Sequence, residues 1–68
     1  MQNWSLLHSA STLPEATILK GRLEENNVPV LLMNKQDSSY LNFGYVELYV
    51  PFYLKDVARL LLDNGLSN

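Results

Sequence analysis

Asn34-Lys35-Gln36-Asp37, delivered by the apolar run Val30-Leu31-Leu32-Met33, is the stretch of this sequence closest to a known chemistry. In guanine-nucleotide-binding proteins the same spacing lets asparagine and aspartate read the base while lysine stacks on it. That chemistry also needs a G-x-x-x-x-G-K-[ST] loop, whose backbone amides hold the phosphates. The sequence has no such loop and is far too short for that fold, so the quartet reads as a polar turn leaving a strand.

Phe43-Gly44-Tyr45-Val46-Glu47-Leu48 imitates the strand on which RNA-recognition sheets stack bases. The imitation stops where charge is needed, because Leu41 and Asn42 stand where a basic residue and a glycine should open the motif. His8 could act as a general base, but no serine or cysteine nucleophile with an orienting acid accompanies it. Glu24, Glu25 and Asp37 read as solvated charges. With no cysteine and a single histidine, neither a disulfide nor a zinc site is available. The expectation is a non-catalytic domain without metal or cofactor.

What remains is the polar connection from Asn34 to Gly44, long for a hairpin in so small a chain. Asn34, Lys35, Gln36, Asp37, Ser38, Ser39 and Tyr40 offer amide, ammonium, carboxylate, hydroxyl and phenol groups. They are candidate contacts for a small polar ligand or a protein partner.

The elements that must position these groups follow from local pattern. Trp4 to His8 alternates weakly, as a short strand does, and Ser9 to Thr12 reads as a polar turn. Thr12-Leu13-Pro14-Glu15 fits a capping box, with proline tolerated where first-turn amides have no intrahelical acceptor. The helix it opens runs to about Glu25, where Asn26-Asn27 ends it. Ala16, Leu19 and Leu23 share its inner face, Leu13 lies at the margin, and Ile18 falls on the opposite side.

A second strand is expected from Val28 to Met33. A third, Tyr45 to Val50, points Val46, Leu48 and Val50 inward and Tyr45, Glu47 and Tyr49 outward. Pro51 should stop it. A last helix from about Phe52 to Asp63 would bury Val57, Leu60 and Leu61, with Gly65 as its C-terminal cap.

This β-α-β-β-α order predicts a single α+β domain over residues 1–68, a ferredoxin-like half-fold. The right-handed crossover rule places the third strand between the other two, giving order 2-3-1, with both helices on one face. The bare face would then carry Leu31, Met33, Tyr45, Glu47 and Tyr49. Four of these five are apolar or aromatic, which marks Leu31, Met33, Tyr45 and Tyr49 as candidate interface residues. The first strand would be an unpaired edge with no charge of its own to guard it. Both features point to a partner, most simply a second copy of the chain.

Composition narrows the class of partner. The 68 residues carry a net charge of −2, and the cations Lys20, Arg22, Lys35, Lys55 and Arg59 are scattered. Nucleic acid and anionic membranes both need concentrated positive charge, so neither is expected. No apolar run approaches a membrane span, and the N-terminus lacks the basic and apolar regions of a signal peptide. The Asn3-Trp4-Ser5 glycosylation match then has no consequence, and the reading is cytoplasmic.

Several of these motifs recur together in one family. They are Trp4, Glu15-Ala16, Ile18-Leu19-Lys20-Gly21, Leu23-Glu24, Val28-Pro29-Val30 and Val46-Glu47-Leu48-Tyr49-Val50-Pro51. In order and spacing, over about residues 4 to 62, they resemble the prokaryotic signal-transducing protein family. These are small bacterial domains of unknown function grouped with PII-like folds. The stretch Asn34-Lys35-Gln36-Asp37-Ser38-Ser39-Tyr40 is similar to its Bacteroidetes type. The resemblance implies a ferredoxin-like half-fold and a bacterial cytosolic setting, and supplies no activity. The glycine-rich and basic elements by which true PII trimers hold adenine nucleotides and 2-oxoglutarate are not matched here, so no nucleotide site carries over. The function expected is a regulatory or protein-interaction module acting through self-association and the 34–44 connection. The alternative is a sensor that binds a small polar metabolite or nucleotide at that connection.

Overall fold

The computed structural model describes residues 3–35 and 45–64. Its elements run β1 (Trp4–Ala10), α1 (Leu13–Glu25), β2 (Leu31–Asn34), β3 (Val46–Pro51), a 3₁₀ turn (Phe52–Leu54) and α2 (Lys55–Asn64). The three strands form one sheet in the order β1-β3-β2, with both neighbouring pairs antiparallel. Both helices pack on the same face, α1 against all three strands and α2 against β1 and β3. This is the α+β ferredoxin-like half-fold expected from the order of elements.

The termini of α1 are built as its sequence suggests, with one shift. Thr12 is the N-cap, and its hydroxyl oxygen accepts from the Glu15 amide at 3.2 Å. The Glu15 carboxylate reaches back past Thr12 to accept from the Ser11 amide at 3.3 Å and the Ser11 hydroxyl at 3.2 Å. The reciprocal half of the box is thus displaced by one residue. At the other end Asn27 takes φ 66°, a left-handed conformation asparagine tolerates better than most residues. The Val28 amide then bonds the Leu23 carbonyl at 3.0 Å and the Asn27 amide the Glu24 carbonyl at 3.1 Å. This is a Schellman turn, closed by the contact pair it favours, since Leu23 and Val28 are both fully buried.

That turn explains why β2 begins at Leu31 rather than Val28. Val28 donates its amide to the helix, and Pro29 has none to give a ladder. Val28 and Val30 still pack in the core, although neither is paired. β1 is longer than the first-strand pattern suggests, because Ser9 and Ala10 pair with Glu47 and Val46 instead of turning.

The core is formed by Leu7, Ala10, Ala16, Leu23, Val28, Val30, Val46, Leu48, Val50 and Ala58, with Leu19, Leu32, Leu54, Leu61 and Leu62 packed around it. The last helix differs most from its expected phase. It starts after a 3₁₀ turn, and Leu54, Ala58, Leu61 and Leu62 face the sheet. Val57 and Leu60, expected inside, are 47% and 60% exposed. Lys55, Asp56, Arg59 and Asp63 share one side of α2, so the pattern does define an apolar side, but that side is wide and packing places Val57 and Leu60 toward its outer margin. The expected cap Gly65 lies outside the described residues, among which no helix is long and apolar enough to cross a membrane.

Candidate functional site

The face of the sheet away from the helices is organised by strand register. Leu31 stands opposite Tyr49, and Met33 opposite Glu47. Since cross-strand partners share a face, Leu31, Met33, Glu47 and Tyr49 lie together on the bare side, with Tyr45 two residues along. The four candidate interface residues therefore meet, Tyr45 exposed and Leu31, Met33 and Tyr49 half-buried. β1 extends the surface by residues the sequence pattern did not assign. Leu6 pairs with Tyr49 and Ser9 with Glu47, which puts both on this face, with Trp4 two residues before Leu6. Their alternation was the available signal, but it is broken at one point.

That break is a β-bulge. The register advances from Leu6 to His8 against Tyr49 and Leu48, so Leu7 has no partner in β3. A bulge lets two successive residues face the same way. Leu7 enters the core and His8 turns to the helix side as well, where its Nε2 lies 3.6 Å from the Glu15 carboxylate. The pair is half-exposed, and it is an ion pair only when the imidazole carries a proton. The Leu7 carbonyl accepts from the Arg59 guanidinium of α2 at 2.8 Å.

This arrangement leaves β1 the expected edge with no Lys, Arg, Asp or Glu of its own, and adds protection from outside the strand. β1 is an edge among the described strands, but a bulge interrupts its flat profile and a cation from α2 occupies its backbone. Both are devices by which native sheets discourage strand addition.

On the bare face the chemistry is concentrated at Glu47. The Tyr49 hydroxyl donates to its carboxylate at 2.9 Å, joining two residues of one strand on the same side. This bond, with burial and the carboxylate's negative charge behind it, raises the Tyr49 pKa above the ordinary 10.0. A cleft on the opposite side of the sheet, about 360 Å³, lies between the helices and is lined by His8, Glu15, Leu19, Arg59, Leu62 and Asp63. Among the described residues no three histidine or acidic side chains converge as metal ligands.

Of the ligand candidates in the polar connection, Asn34 closes β2 and Lys35 extends its ladder by donating its amide to the Tyr45 carbonyl at 2.8 Å. Both are exposed. Gln36, Asp37, Ser38, Ser39 and Tyr40 lie outside the described residues. The 3₁₀ turn and α2 present a second apolar surface, with Phe52 and Tyr53 70% and 80% exposed, together with Val57 and Leu60, which the pattern had buried.

Fold and surface together define a small open-faced sandwich, with one sheet face under the two helices and the other left uncovered by them. No family model, curated protein or solved structure matches the chain.

Proposed function

We propose that this domain is a non-catalytic regulatory or interaction module that binds another protein through its bare sheet face, most simply a second copy of itself. One observation carries the reading. Trp4, Leu6, Leu31, Met33, Tyr45 and Tyr49 are brought by three strands onto one face around a single carboxylate. Aromatic residues and methionine are the types enriched where proteins meet, and charge is depleted at such centres. The sheet fixes their backbones, so docking has side chains to order but no main chain.

The resemblance to the prokaryotic signal-transducing protein family implies a bacterial cytosolic setting and supplies no activity, so the interaction reading rests on the sheet face. The sensor reading rests on the polar connection, of which Asn34 and Lys35 are the described part. Sedimentation equilibrium tests the main reading. The wild type should associate reversibly, and Leu31→Glu, which places a second acid opposite Tyr49, should shift it to monomer with unchanged circular dichroism. A wild type that stays monomeric and elutes without a partner from its own host's lysate would refute it.

A further inference from the structure

At one end of the bare face, where β1 leaves the sheet and β3 enters it, a pocket of about 480 Å³ is lined by Leu6, Ser9, Ala10, Ser11, Tyr45 and Glu47. Its charge is one-sided. Among the described residues Glu47 is the one carboxylate in the wall, and no lysine or arginine lines it. The carboxylate's partner there is a neutral phenol, that of Tyr49, which uses one of its several acceptor positions. Glu47 is half-buried, so a counter-ion beside it is screened less than on open surface.

The remaining lining narrows the ligand. Tyr45 contributes an aromatic ring, which attracts ammonium and guanidinium groups through its negative face. Ser9 and Ser11 add hydroxyls that can accept from such a group, while Leu6 and Ala10 offer carbon surface to a methylene stem. An anion would meet an uncompensated carboxylate, and a purely apolar ligand would strip water from it without replacing the hydrogen bonds. We propose that this pocket binds a cationic head on an aliphatic stem, a primary ammonium of the lysine kind, with Glu47 as its counter-ion. Leu6, Tyr45 and Glu47 also belong to the proposed association face, so the pocket is tested on dilute monomer, where ammonium binding is read whether or not the sheet face associates.

The test is an amide-resolved NMR titration of the full chain, kept dilute, with n-butylammonium chloride, and in a parallel arm with Nα-acetyl-lysine methylamide. Saturable shifts confined to Leu6, Ser9, Ser11, Tyr45 and Glu47 are expected from both. A response to the lysine derivative alone assigns the site to a protein side chain, and equal responses assign it to the amine head itself. Glu47→Gln should weaken binding by about tenfold or more. Ser9→Phe, which fills the pocket and leaves the charge, should abolish it, while Tyr49→Phe should retain it. Absence of saturable shifts at about 50 mM ligand, equal binding by Glu47→Gln, or equal binding of neutral n-butanol would overturn the proposal.

Discussion

The two sides of β3 carry different duties in six residues. Val46, Leu48 and Val50 are fully buried beneath the helices, whereas Glu47 and Tyr49 on the reverse are only half-covered. The buried side meets aliphatic groups and needs shape. The bare side carries an acid bonded to a phenol, flanked by Leu6, Leu31 and Met33, which is more chemistry than a stabilising surface requires. Alternation lets one strand serve both without compromise, because a substitution on one side leaves the other side's contacts in place.

The sharpest way to break this comparison is to truncate each side in turn. Leu48→Ala should cost about 2–5 kcal/mol, enough to unfold much of a domain this small, and a thermal melt would show it. Tyr49→Ala should cost far less stability and fall instead on association, so a melt as damaged as that of Leu48→Ala would collapse the distinction. Arg59→Met comes next in size. It leaves the Leu7 carbonyl without its charged donor, for a loss of about 1–3 kcal/mol, and should raise amide exchange along β1 more than along β2. Thr12→Ala removes the N-cap and should cost about 1 kcal/mol, read in urea denaturation and with no effect on association.

The smallest effect is a pH dependence. Tyr49 holds its proton more tightly folded than unfolded. The stability this contributes is therefore complete below the ordinary value of 10.0 and is lost as pH rises through the higher folded value. A phenolate absorbance component above 10.0 should vanish in Tyr49→Phe and move down in Glu47→Gln. An unchanged late component in Tyr49→Phe would assign the bond wrongly.

Much of this was legible from the chain alone, and the reasons are local. Thr12 and Asn26-Asn27 announce the ends of α1 through caps that act within a few residues. The alternation of Val46 to Val50 fixes which side faces the helices, and chirality then orders the strands. Leu31, Met33, Tyr45 and Tyr49 could be grouped for the same reason. The bulge at Leu7 could not, because it depends on register against a strand some forty residues away and on Arg59 reaching its carbonyl. Trp4 and Leu6 were missed with it. The apolar side of α2 was legible and Leu61 does pack on the core, but that side is wide, and the exposure of Val57 and Leu60, with Tyr53 before them, emerged only from packing. Ile18 does lie outside, 63% exposed, opposite the buried Leu23.

Two apolar surfaces thus compete for the role of contact face, the bare sheet and the α2 stripe, and they can be told apart directly. Methyl-labelled protein can be probed with a soluble paramagnetic agent at low and high concentration. The account predicts that the methyls of Leu6, Leu31 and Met33 become shielded as concentration rises, while those of Val57 and Leu60 stay accessible. Shielding of Val57 and Leu60 with an unchanged sheet face would contradict it.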